Sequence, residues 1–371
     1  MKKTEALITP EVLKWARMSL EMTIEYAAQK IGIKEKKLES WENGSLKPTI
    51  KQLEKIASIY KRPESVFYLN STPEESYYIP EFRSFRGDKK RKSPELNYLI
   101  RKTYQLRELA MDVADEVVEF NSFMIDEKSI NNSAENIRQL LNIDINSQFK
   151  WKDFYQALNS WQNSIENLGV LVFKNSSVEL DEMRGFCISE KKFPVILINN
   201  KDVVQARIFT MLHEFCHLLS KKSAMCDLSD KEEESQCNEI AGCVLVPEDI
   251  LLNEISKLSS FSDTDIDYLS SRFKVSNSVI LKRLLSLRKI STDYYGTKKK
   301  LYEERFINSI KNEDGYPPIY RRKISQYGKG FCRIIFDAYY EQRITLRDVS
   351  NYLDTKIKHL EIMENAIYGR K

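Results

Sequence analysis

The stretch RIFTMLHEFCHLLS, residues 207–220, carries two of the chain's three histidines, His213 and His217, inside an otherwise apolar run. On an α-helix, positions four apart differ by roughly 40° around the axis, so both imidazoles leave one face and can share a metal ion. Glu214 sits roughly 100° round from His213, too far to be a third ligand and well placed to act on a water at the metal. Ile208, Phe209, Leu212, Phe215, Leu218 and Leu219 surround the pair. The bland reading is two satisfied core histidines beside an incidental glutamate. The scarcity of histidine weighs against it, since the remaining one, His359, reads as structural or exposed and outside the site.

Working outward, the upstream segments LGVLVFKNSS (168–177) and MRGFCISEKKFPVILINN (183–200) are rich in Val, Ile and Phe and bounded by turn residues. They predict strands, with a hairpin through 190–192. An edge strand beside the histidine helix is what a metallopeptidase needs to hold an extended substrate. Downstream, KEEESQCNEIAGCVLVP (231–247) predicts a carboxylate-bearing helix. Two histidines leave a zinc site short of a third protein ligand, with a fourth position for water. Glu232, Glu233, Glu234 and Glu239 are the candidates. Glu234 shares its face with Asn238, Ala241 and Val244–Leu245, so it points toward the core where Glu232 and Glu233 need not.

The 371 residues suggest two or three domains, and 42% hydrophobic with 30% charged residues fits a soluble globular chain. No apolar run approaches the ~20 residues of a membrane-spanning helix. The N-terminal MKKTEALITPEVLKWARMSL lacks a continuous apolar core and a small-residue cleavage site. Secretion is therefore not expected, and a cytoplasmic location is. Six cysteines without a CxxC pair read as reduced thiols. The net charge of +4 is too mild to argue for nucleic acid, although FRSFRGDKKRKS (82–93) and two stretches after residue 293 are densely basic. Their ordinary reading is a solvated surface, with a phosphate- or acid-facing patch as the sharper one.

Residues 8 to about 70 read as short helices, opened by Thr9 as N-cap and Pro10 at the first helical position. A turn at Gly32 separates two of them, and Ile50, Leu53, Ile56, Ala57 and Tyr60 share a face of another. The segment AAQKIGIKEKKLESWENGSLKPTIKQLEKIASIYKRP (27–63) resembles the XRE/Cro-type helix-turn-helix family. The resemblance draws groove-facing residues from Lys34, Glu35, Lys36, Lys37 and Ser40, and the candidates for contact with DNA or a protein partner are Lys34, Lys36, Lys37 and Ser40. Glu35 and Glu39 on or beside that face suit a groove wall poorly. Protein contact or dimerisation is the competing use, and a homodimer stays open.

RIFTMLHEFCHLLS followed by ESQCNEIAGCVLVP resembles the ImmA/IrrE family of zinc metallopeptidases. Carried over residue by residue, the resemblance implies His213, His217 and Glu234 as ligands of one Zn2+ per chain and Glu214 as the catalytic glutamate. Asn238, Ala241 and Pro247 also match the family's second motif. Phe215-Cys216 stand where the family usually has Leu-Gly, and Cys237 replaces its usual alanine. Neither change touches a ligand position. Cys226, between the two helices, is the thiol with a chance of competing for the open site, against its ordinary reading as a partly buried thiol. Arg184, Asn199 and several tyrosines are candidates for stabilising an oxyanion, none favoured.

The expected fold is α+β and mostly helical. It comprises a helix-turn-helix domain (1–72), a basic linker (73–95), a zincin-like domain with a small β-sheet (96–252) and a C-terminal helical, winged-helix-like region (253–371). The resemblance implies a cytoplasmic endopeptidase that cleaves a regulatory protein, such as a helix-turn-helix repressor, in a mobile-element, toxin-antitoxin or stress-response setting. The competing expectation is a DNA-binding regulator or antitoxin-like partner with a structural or vestigial metal site. A purely structural site has no need of Glu214.

Overall fold

The computed structural model describes residues 4–74, 92–116, 119–120, 129–220, 230–309 and 318–369. The chain divides into two compact units, Met1–Gln105 and Leu106–Lys371. Most of the basic stretch expected as a linker, 75–91, and Cys226 lie outside the described residues.

In the first unit, α1 (Pro10–Met18), α2 (Ile24–Ile31), α3 (Glu35–Glu42) and α4 (Ile50–Tyr60) enclose one apolar core around Leu13, Leu38, Trp41, Leu53 and Tyr60. Local chemistry sets the boundaries. Thr23 caps α2 by accepting from the Tyr26 N–H, and Gly32 at φ +78° ends it in the left-handed conformation that glycine adopts freely. Thr49 and Gln52 close a capping box on α4. Thr9 precedes α1 as expected but does not cap it through its side chain; its hydroxyl donates to Leu69 O at 2.6 Å instead. Ile50 is exposed, so the apolar face of α4 begins at Leu53. A nearly buried ion pair, Arg17 Nε to Glu42 Oε1 at 2.7 Å, joins α1 to α3. The boundary between the units falls inside α5 (Pro94–Val113). Beyond that helix, Glu119 forms a β-bridge with Lys192, and Phe120 packs edge-on against Phe215.

The second unit begins with α6 (Ile130–Leu140), α7 (Ile145–Lys150) and α8 (Phe154–Glu166) and continues into a sheet of β1 (Leu171–Asn175), β2 (Gly185–Ile188) and β3 (Val195–Asn199). The order is β1-β3-β2, with β1 parallel to β3 and β2 antiparallel to it, Phe186 opposite Leu197. The expected hairpin through 190–192 joins β2 to β3. Every residue of β3 is buried, the signature of a central strand covered on both faces.

The histidine stretch forms α9 (Val204–Ser220), which packs across β2, β3 and α8. Next, α10 (Asp230–Leu245) lies against α9 and α6, and α11 (Glu248–Ile255), α12 (Asp263–Phe273), α13 (Asn277–Ser286) and α14 (Thr292–Ser309) follow. The remaining helices are α15 (Ile319–Tyr340), α16 (Leu346–Tyr352) and α17 (Leu360–Tyr368), with α15 packed on β1. The architecture is the mostly helical α+β fold the patterning predicted.

Candidate metal centre

Helix α9 presents His213 and His217 from one face because they are four apart, and packing fixes the rings. Phe209 stacks on His213 at an interplanar angle of 20°, and the two imidazoles meet edge-on at 82°. Their Nε2 atoms are 3.1 Å apart. From α10, Glu234 brings Oε1 to 3.1 Å from His213 Nε2 and Oε2 to 3.4 Å from His217 Nε2. Bonds of about 2.0–2.1 Å from a tetrahedral zinc would hold such donor atoms about 3.3–3.4 Å apart. The three side chains therefore fit one small divalent ion with little movement. The side chain of Glu234 is 35% exposed while His213 is buried, so the cluster opens toward solvent on the Glu234 side.

Electrostatics fit the same reading. Burial works to lower the His217 pKa, yet hydrogen bonds with Cys237, Glu233 and Glu234 push it well above the ordinary imidazole value. Burial likewise works to raise Glu234, but the two imidazoles hold its carboxyl well below the usual carboxylate range. The carboxylates thus favour positive charge at the imidazoles, as a proton or as a metal ion that displaces it.

Glu214 points elsewhere. It is buried, and a β-carbon at Gly185 of β2 would stand 3.3 Å from its Oε1, 2.5 Å from Thr210 Cγ2 and 3.1 Å from Leu197 O. Its carboxylate therefore lies over the backbone of β2, and the missing side chain at Gly185 is what lets α9 come so close.

Two contacts were not legible in the sequence as parts of a site. The Nδ1 of His217 lies 3.0 Å from Glu233 Oε1, a pairing that orients the ring so that Nε2 faces the cluster. The cysteine at 237 does reach a candidate ligand, since its Sγ is 3.6 Å from the same Nδ1. His213 has no such support, its Nδ1 being buried without a hydrogen-bond partner among the described residues. Glu232 and Glu239 are exposed, and Asn238 donates to Glu234 O at 2.8 Å, bracing the turn that carries the third donor. Of the oxyanion candidates, Asn199 is buried and donates to Val178 O and Met183 O, while Arg184 is paired with Asp202 at 2.9 Å. His359 lies just before α17, far along the chain from this cluster.

In the first unit, Lys34, Lys36 and Lys37 are exposed on or just before α3, together with Glu35 and Glu39. Ser40 is half-buried and donates to Lys36 O, and the Lys37 ammonium lies 5.4 Å from the Trp41 ring centroid.

Residues 165–285 match the family model of the M78 peptidases, described as the IrrE N-terminal-like domain, and residues 13–67 match a helix-turn-helix model. No curated protein matches the chain. Among solved structures, Bacillus thuringiensis PlcR in complex with the peptide PapR7 and DNA is 11% identical. That match covers 98% of this chain and 100% of that one at a TM-score of 0.16, too low to carry an argument. The chain thus joins a helix-turn-helix domain at 13–67 to an IrrE N-terminal-like domain of the M78 peptidase family at 165–285, and His213, Glu214, His217 and Glu234 all lie inside the latter.

Proposed function

We propose that the protein is a zinc-dependent endopeptidase that cleaves a regulatory protein, a helix-turn-helix repressor being the class the family resemblance favours. His213, His217 and Glu234 would hold one zinc per chain, and the convergence of their donor atoms is the observation that carries the reading. When bound, the ion supplies Lewis acidity to a scissile carbonyl and to an attacking water. The chain's own residues do the rest. Glu214, held over β2, takes the proton from the water and returns it to the leaving amine. Glu233 accepts the Nδ1 proton of His217 and so keeps Nε2 turned toward the cluster.

The helix-turn-helix domain would bring the peptidase to DNA or to its substrate, and a substrate tethered nearby is met at a raised effective concentration. Lys34, Lys36 and Lys37 are the contacts proposed for that role, and Ser40 is the weakest member because its hydroxyl is already engaged with Lys36 O. The proposed setting is the cytoplasm, in keeping with buried free thiols at Cys187, Cys216, Cys237, Cys243 and Cys332. No helix among the described residues is long and apolar enough to cross a membrane.

Elemental analysis of the full chain tests the metal site. The wild type should carry at least one zinc, and Glu234→Ala should carry about one fewer than the wild type, because two histidines alone leave a catalytic site one protein ligand short. A wild type that stays metal-free after zinc is supplied would sink the peptidase reading and leave the competing one, a helix-turn-helix regulator.

A second outcome follows from Gly185. Gly185→Ala forces a methyl against Thr210 and toward Glu214, moving the carboxylate without touching a ligand. Misplacement of a catalytic group by about 1 Å can cost ~10²-fold in rate. The contact with Glu214 asks its oxygen to give by only a few tenths of an ångström, so peptide hydrolysis should fall by less than that while zinc content stays at the wild-type level. Unchanged hydrolysis would mean that Glu214 is not held through β2.

A further inference from the structure

The ring of His217 has two faces, and the proposed zinc uses only one. On the other side, Nδ1 is approached by a carboxylate oxygen at 3.0 Å (Glu233 Oε1) and a sulfur at 3.6 Å (Cys237 Sγ). A ring N–H needs one acceptor, and Glu233 already supplies it. Imidazole nitrogen, carboxylate oxygen and thiol sulfur all lie within 4.8 Å of one another. We propose that His217 Nδ1, Glu233 and Cys237 form a second cation site, back to back with the first and selective for a thiophilic d10 ion.

The dimensions support this. Zn–S bonds of about 2.3 Å and Zn–N bonds of about 2.0–2.1 Å in a tetrahedron separate sulfur from nitrogen by about 3.6 Å. The observed spacing of Cys237 and His217 is the same. Mixed sulfur, nitrogen and oxygen donors suit zinc, copper(I) or cadmium, and the thiolate disfavours magnesium and calcium. Sulfur comes from a buried position, and Glu233, 25% exposed, gives the ion its way in. Ser220 lines the same pocket, its hydroxyl 3.4 Å from Glu233 Oε1 and 3.9 Å from Cys237 Sγ. Binding releases the thiol proton and the Nδ1 proton to solvent, leaving the imidazole as a bridge between the two ions. The sulfur stands where the resembled family usually has alanine, so the second site is a property of this chain. It goes beyond the peptidase reading and does not require the first site to be catalytic.

Cadmium titration of the full chain tests the site, with bound ions counted at equilibrium and thiolate-to-cadmium charge-transfer absorption followed in the ultraviolet. The wild type should bind about two ions, one of them with the thiolate band. Cys237→Ser should bind about one ion and lose the band, and Cys237→Ala should do the same if the serine variant fails to fold. Glu234→Ala should lose the other ion and keep the band. The proposal is overturned by a wild type without the band, or by a band that persists at full strength in either Cys237 variant. If Glu234→Ala still binds as many ions as the wild type, the first-site reading fails and this one survives.

Discussion

Glu214→Gln should keep the wild-type zinc content and lose peptide hydrolysis by ~10²–10⁴-fold, the range in which a positioned general base contributes. Glutamine has nearly the shape of glutamate, so the close approach to Gly185 is preserved, but the amide cannot take a proton from water. Separation of metal content from activity is the informative part, because none of His213, His217 and Glu234 changes. Single-turnover cleavage of a candidate repressor, assayed beside metal analysis, provides the check. Loss of zinc in Glu214→Gln would place the carboxylate among the ligands. Full activity in that variant would remove it from the chemistry.

A purely structural site predicts a third pattern. Neither metal nor DNA binding would respond to Glu214→Gln, and a phenotype in cells would survive it. The helix-turn-helix residues do not decide between the readings, since the exposed face around α3 mixes Lys34, Lys36 and Lys37 with Glu35 and Glu39. The decision rests on Glu214.

His213 and His217 were legible from sequence because their relation depends only on helical geometry, which α9 supplies whatever packs around it. Glu234 was legible for a related reason: the phase of α10 is set by Ala241, Val244 and Leu245, all buried. The roles of Glu233 and Cys237 were hidden because they depend on how α10 lies against α9 and which nitrogen of His217 turns outward. Both are tertiary facts. Gly185 was also mute, since a glycine at the start of a strand reads as a turn residue until the helix crossing it is known. In the first unit the turn at Gly32, which ends α2, was legible in local sequence, whereas the caps at Thr23 and Thr49–Gln52, equally local, came from the structure. Thr9 misled because a long-range acceptor, Leu69 O, competed for its hydroxyl. Near the C-terminus, YRRKISQYGKG read only as a basic run, although it holds the sharpest backbone feature of the second unit.

That feature is Gly328, where α15 kinks at φ +74° and ψ +156°, a conformation essentially restricted to glycine. Gly328→Ala should lower the unfolding temperature of the second unit by roughly 4–24 °C. The kink lies against β1 at Val172, Phe331 beyond it packs on Phe173, and Glu166 fills the elbow. Its Oε1 accepts from Gln162 Nε2 at 2.7 Å and its Oε2 from the Gly330 N–H at 3.0 Å. Burial pushes the Glu166 carboxyl up, and the buried Lys174, itself brought down by burial to about 8, offsets part of that. A β-carbon at 328 would land on Glu166 Oε1 and stand 2.7 Å from Val172 O. The carboxylate has nowhere to retreat without leaving its two donors, and the carbonyl belongs to a strand that pairs with β3. Backbone strain of ~1–3 kcal/mol and overpacking of ~1–3 kcal/mol therefore add, to roughly 2–6 kcal/mol. At about 2–4 °C per kcal/mol for domains of comparable size, calorimetry should resolve the drop. The first unit, if it melts separately, should be unmoved. A shift below about 2 °C would mean that α15 rides over the sheet loosely, and that β1 is held by β3 alone.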